Sequence, residues 1–154
     1  MTEQILALDM GFGWTKAMVQ GKPPYVFLSA VGPAVEVRYE GGIGADGAGI
    51  TVEVDGRRYF VGKRALQQSP GVRQTLDTVK VGDVDQKVQF YAAASRLVKT
   101  GAEEVIVITG LPVGDYDEGK KGVLRDLLMG EHVVRREGKW TRSFEVSKVH
   151  VLPQ

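Results

Sequence analysis

A chain of 154 residues with 43% hydrophobic and 25% charged residues has the balance of a folded domain, long enough to bury roughly 68–70% of its unfolded surface around one core. That excludes disordered, collagen-like and disulfide-stapled classes. Lysine and arginine number 20 against 19 acidic residues, a formal charge of +1, so neither a nucleic-acid stripe nor a polybasic membrane anchor is expected. With no cysteine in the chain, thiolate chemistry and cysteine zinc sites drop out.

Met1-Thr2-Glu3-Gln4 runs into a short apolar segment without a basic n-region, and no stretch approaches 18 apolar residues. The expectation is a cytoplasmic protein with no membrane partner. Ile5 to Asp9 reads as a strand closed by Met10-Gly11-Phe12-Gly13, and Trp14 to Val19 resumes as a second strand, so the pair reads as a hairpin with a glycine turn. Pro23 and Pro24 break the chain before a third strand, Tyr25 to Leu28. From Ser29 to about Gly82 the chain turns glycine-rich, with an alternating strand Ile50 to Val54, the turn signal Asp55-Gly56 and a strand Arg57 to Val61. This stretch reads as a small β-rich insertion.

Asp85 to Lys99 places Val88, Tyr91, Ala92, Ser95 and Leu97-Val98 near a 3.6-residue period, with Gly101 where a terminating glycine is expected. Glu104 to Thr109 is a continuous apolar run that suits a strand buried on both faces. Beyond Gly110-Leu111-Pro112, Gly119 to Met129 reads as a second helix. His132 to Glu137 and Trp140 to Val146 flank Gly138-Lys139 as a hairpin, and Val149 to Leu152 is a last strand. The order is that of a mixed α/β fold.

Several glycine patterns invite a phosphate reading. Gly42-Ile43-Gly44-Ala45-Asp46-Gly47 spells G-x-G-x-x-G but leads into a period-2 strand rather than a helix. Gly114 to Lys121 spells G-x-x-x-x-G-K between a strand and a helix. It puts Lys121 where a hydroxyl should meet magnesium, and Asp115, Asp117 and Glu118 where phosphates would be repelled. Gly56 to Lys63 has one residue too many. The strongest pattern is Asp9-Met10-Gly11-Phe12-Gly13-Trp14-Thr15-Lys16. Two glycines let backbone N–H groups approach phosphate oxygens, Lys16 adds a cation, and Asp9 suits a hydrated Mg²⁺. The bland alternative is a glycine hairpin with a surface lysine. His132 and His150 lack acidic or thiol neighbours at ligand spacing and read as ordinary strand residues, and Trp14 and Trp140 as core or interface aromatics.

Leu6 to Val19 (LALDMGFGWTKAMV) resembles the first phosphate hairpin of the actin, Hsp70 and sugar-kinase superfamily. The rest of the chain resembles bacterial and archaeal actin-like proteins of the ParM/StbA type. The supporting residues are Phe27-Leu28-Ser29-Ala30-Val31-Gly32, Tyr59-Phe60-Val61-Gly62 with Ala65, Tyr91-Ala92-Ala93-Ala94, Val107-Ile108-Thr109-Gly110-Leu111-Pro112-Val113 and the terminal Val149 to Gln154. The resemblance implies an RNase H-like domain with a mixed central sheet and flanking helices. Its core would be 1–31 and 83–154, and its insertion subdomain about 32–82. It implies ATP (or GTP) and Mg²⁺ as cofactors, with Asp9 holding the metal through water. The backbone of Gly11, Phe12, Gly13, Trp14 and Thr15, together with Lys16, would hold the β- and γ-phosphates, and Gln154 would orient the attacking water. It also implies self-assembly into filaments and a DNA-bound adaptor, with no direct nucleic-acid contact. The second phosphate loop and adenosine pocket of that family have no counterpart here. The chain therefore reads as the N-terminal half of a two-domain ATPase, inactive by itself. A sugar or acetate kinase half and a nucleotide-free interaction module remain the alternatives.

Overall fold

The computed structural model describes residues 3–35, 50–74, 81–99, 101, 104–136 and 140–154. In chain order the elements are β1 (Glu3–Met10), β2 (Trp14–Val19), β3 (Tyr25–Leu28), β4 (Ala30–Pro33), β5 (Ile50–Val54), β6 (Arg57–Val61), α1 (Lys63–Gln68), β7 (Arg73–Gln74) and α2 (Val84–Leu97). They continue with β8 (Glu104–Leu111), a 3-10 turn (Val113–Asp115), α3 (Glu118–Leu128), β9 (Gly130–Arg136) and β10 (Trp140–Pro153). The mixed α/β reading holds. The strands join in one sheet in the order β3-β2-β1-β8-β10-β9-β5-β6-β4-β7.

Three antiparallel strands open the sheet, β1 pairing with β2 and β2 with β3. Then β8 inserts between β1 and β10, parallel to both, with Leu6 opposite Val107 and Val107 opposite Val149. Period-2 alternation puts Leu6, Leu8, Ala17, Val19, Val149 and Val151 on one face, where they form a single core with Val88, Ala92 and Leu97 of α2 and Leu124 and Leu128 of α3. The other face carries Ile5, Met18 and Val26, all exposed. β8 is buried at Val105, Ile106 and Val107, as expected for a strand with parallel neighbours.

The 3.6-residue pattern locates α2, but almost every side of this helix is buried, Asp85, Gln86, Gln89 and Ser95 included. Arg73 of β7 reaches Asp85 with two hydrogen bonds, at 2.6 and 3.0 Å, a geometry that suits a buried carboxylate. The helix does not end in a left-handed glycine. Val98 is extended at the cap and Gly101 takes a positive φ farther on. Side chains satisfy the last carbonyls instead: Gln4 and Lys22 donate to Leu97 O, and Arg142 donates to Val98 O. Cations at this end also favour the helix dipole.

The expected terminal hairpin is present as β9 and β10, but its second arm and the expected last strand are one strand. β10 pairs antiparallel with β9 from Trp140 to Val146 and then parallel with β8 from Val146 to Pro153, with an irregularity between Val146 and Lys148. That bulge breaks the alternation and makes one strand read as two. β4, α1, β7 and the 3-10 turn were not expected. The expected β5–β6 hairpin is present, its turn carried by Asp55 (φ 51°) and Gly56 (φ 79°), the left-handed pair of a tight hairpin.

His132 is buried on β9 among the rings of Phe90, Tyr91 and Phe144. Its Nε2 lies 2.8 Å from Leu128 O and therefore donates, which leaves Nδ1 to accept from the Tyr91 hydroxyl at 3.1 Å. Burial holds its pKa below the usual histidine value, and Lys87 adds to the effect. Because the folded value lies below the unfolded one of about 6.5, the native state is favoured at higher pH, and this contribution is lost as pH falls below about 6.5. The urea midpoint is expected to drop between pH 7.5 and 5.5. The slope is expected to flatten in His132→Gln, whose amide keeps a donor for Leu128 O without a titrating ring; equal slopes would refute the assignment.

Candidate functional site

The site is built on the turn between β1 and β2. Gly11 N–H donates to Trp14 O at 3.1 Å and closes the turn. A Cβ on Gly11 would stand 2.8 Å from that same carbonyl, whereas one on Gly13 meets nothing within 4 Å. Polar groups hold the turn from behind. Ser29 N–H donates to Gly13 O at 3.0 Å, and the Ser29 hydroxyl donates to Gly11 O at 2.8 Å. The Thr15 hydroxyl lies between the Ser29 hydroxyl (2.8 Å) and the Gln89 amide oxygen of α2 (3.3 Å). Thr15 is fully buried, so only its backbone is available at the mouth of the turn. Phe12 and Trp14 are half-exposed, at 48% and 53%. Trp14 therefore stands on the surface rather than in the core, and the side chain of Trp140 lies outside the described residues.

On the opposite pleat face from Thr15, Asp9 lies across from Lys16 in the β1–β2 register. Lys16 is exposed and forms no ion pair among the described residues. From the far side of β8, Gln154 donates its amide Nε2–H to Asp9 Oδ1 at 3.1 Å, while its backbone N–H donates to Leu111 O at 2.9 Å. The structure thus brings Asp9, Lys16 and Gln154 to one rim, although 145 residues separate the two ends of the chain segment. Asp9 is a single half-buried carboxylate, and no group of three or more His, Asp or Glu gathers for a directly bound metal among the described residues. A lone, partly exposed carboxylate suits a hydrated Mg²⁺ held through its waters.

The other glycine patterns separate from this site. In Gly114 to Lys121, the Asp117 carboxylate caps α3 by accepting from Lys120 N–H at 2.8 Å, so the helix N-terminus already holds an anion. The Lys120 ammonium pairs with Asp115 at 2.7 Å and Lys121 with Glu118 at 3.2 Å. Gly42 to Gly47 lie outside the described residues. His132 is a buried core residue and His150 an exposed one on β10. Two supporting residues are not legible in the sequence as parts of the site: Ser29 and Gln89.

The sequence from residue 7 to 154 matches the family described as the N-terminal domain of actin-like proteins. The chain belongs to that family. Among curated proteins no match to the sequence is found. Among solved structures, a 15-stranded ParM filament from Clostridium botulinum superposes with a TM-score of 0.79 at 22% identity, over 100% of this chain and 48% of the relative. An apo psk41 ParM protein gives 0.77 at 17% identity, over 100% and 50%. The archaeal actin homologue Ta0583 in complex with ADP gives 0.75 at 16% identity, over 98% and 44%. The actin-like domain thus spans about half the length of its solved relatives, and at these identities the likeness establishes the fold. No helix among the described residues is long and apolar enough to cross a membrane.

Proposed function

We propose that this actin-like domain forms one wall of a nucleotide cleft in a cytoplasmic, filament-forming ATPase of the plasmid-segregation type, the other wall coming from a second domain. The observation that carries the reading is the rim where Asp9, Lys16 and the Asp9-bound amide of Gln154 converge beside the glycine turn. Backbone N–H groups of Gly11 to Thr15 would approach the β- and γ-phosphates of ATP or GTP, and Lys16 would neutralise part of their charge. Asp9 would hold Mg²⁺ through water; the ion, when bound, neutralises charge developing on the transferred phosphoryl group. Gln154 would orient the attacking water, a positioning role. Self-association is supported by the filament of a structural relative, and a DNA-bound adaptor would link such filaments to cargo. A half-cleft leaves much of a ligand's surface in water, so hydrolysis is assigned to the intact protein.

Sedimentation of the intact protein with and without ATP or GTP and Mg²⁺ tests this reading, and absence of nucleotide-dependent polymer under every condition would refute it. Gly13 offers a sharper probe. Its Cβ position is open, so Gly13→Ala should leave the thermal midpoint within about 1 °C while weakening nucleotide affinity about tenfold or more, by obstructing the approach of a phosphate to the backbone. Gly11→Ala should lower both, because its Cβ collides with Trp14 O. Unchanged affinity in Gly13→Ala would argue that no phosphate sits there.

A further inference from the structure

Gln154 and Asp9 belong to strands that are not neighbours, since β8 lies between β1 and β10. Their hydrogen bond must therefore cross β8, and the residue it crosses is Gly110. In register, Leu8 faces Thr109 and Gly110 faces Leu152, which puts Gly110 beside Asp9 on the shared pleat face. A Cβ built on Gly110 would stand 2.6 Å from Gln154 Cγ, 2.7 Å from Nε2 and 2.9 Å from Cδ, and these are its three nearest atoms. Separations under 3 Å are far inside carbon van der Waals contact. Any side chain here therefore collides with the Gln154 side chain before it meets the backbone of β8 or β10.

Backbone conformation does not ask for a glycine at this point. Gly110 does not take a positive φ, and glycine inside a strand weakens it. What the missing side chain provides is a slot. We infer that Gly110 is a positioning residue: it opens the path across β8 by which Gln154 is seated on Asp9, so that the amide and carboxylate form one preset unit. This deepens the function proposed above and rests on it for the catalytic consequence, though not for the geometry.

The test uses the intact protein and the variants Gly110→Ala, Gln154→Ala, Asp9→Ala and the double variant Gly110→Ala/Gln154→Ala. Without nucleotide, the Gln154 side-chain amide resonances, assigned by their loss in Gln154→Ala, are expected to move to those of a solvent-exposed glutamine in both Gly110→Ala and Asp9→Ala. With ATP and Mg²⁺, Gly110→Ala is expected to lower the hydrolysis rate about tenfold or more. In the Gln154→Ala background the same substitution should cost nothing further, because a residue acting only through another gives a fully non-additive cycle. Should Gly110→Ala destabilise the fold alone, the slot predicts that Gln154→Ala restores its thermal midpoint. Unmoved resonances in Gly110→Ala, or a loss that adds to that of Gln154→Ala, would overturn the inference. If the wild-type protein hydrolyses no nucleotide, the proposed function falls, and the resonance arm still decides the role of Gly110.

Discussion

Asp9→Ala in the intact protein is expected to lower nucleotide turnover by about two to three orders of magnitude, comparable to deleting a preorganised electrostatic group from an enzyme's active site. Two losses combine. The carboxylate proposed to hold the hydrated metal disappears, and the acceptor for the Gln154 amide, 3.1 Å away, disappears with it. Asp9→Asn separates them, because its amide oxygen still accepts from Gln154 while its charge is gone. If the charge dominates, Asp9→Asn should be nearly as impaired as Asp9→Ala, and extra Mg²⁺ should recover part of the rate in both by mass action. If seating Gln154 dominates, Asp9→Asn should retain most of the activity. Steady-state phosphate release over a magnesium titration distinguishes the two, and full activity in both variants would remove Asp9 from the mechanism.

The second large effect concerns stability. Phe90 is fully buried, with ring centroids of His132, Tyr91 and Phe144 at 5.1, 5.7 and 6.1 Å. The His132 and Phe144 contacts are edge-on, at 82° and 84°, the arrangement that ring quadrupoles favour. Phe90→Ala is expected to cost about 3–5 kcal/mol, transfer and cavity contributions together. That is a large share of the 5–15 kcal/mol typical of a domain. Urea unfolding of the chain would show it as a fall in midpoint with little change in slope. Phe90→Leu, which keeps part of the volume, should lose distinctly less. A loss below about 1 kcal/mol for Phe90→Ala would mean that Phe90 does not organise this cluster.

The elements legible in the sequence are those whose burial follows one simple period. The β1–β2 hairpin alternates cleanly, and α2 and β8 show a 3.6-residue pattern and an unbroken apolar run. Sequence reasoning falters where the surroundings change along an element. β10 trades partners at Val146, from an antiparallel neighbour to a parallel one, and the break in alternation hides its continuity. β4 and β7 are short pieces at the outer end of the sheet, β4 held between β6 and β7, and their pairing is set by strands distant in sequence; no local signal marks them. The same division holds in the site. Asp9, Gly11, Gly13 and Lys16 form a contiguous pattern with its own chemistry. Gln154 was reached only through family resemblance. Gly110 stands out only once the side chain passing over it is known, and Ser29 and Gln89 only once the back of the turn is seen.

The unbroken course of β10 has a mechanical consequence. One end of this strand is laced to β9, and through β9 to β5 and the outer strands; its other end delivers Gln154 to Asp9. The irregularity between Val146 and Lys148 is the one interruption of the pairing along β10, and no loop separates its two halves. The outer strands and the Gln154–Asp9 contact thus belong to one continuous hydrogen-bonded sheet, so the position of the rim is tied to the position of the far edge.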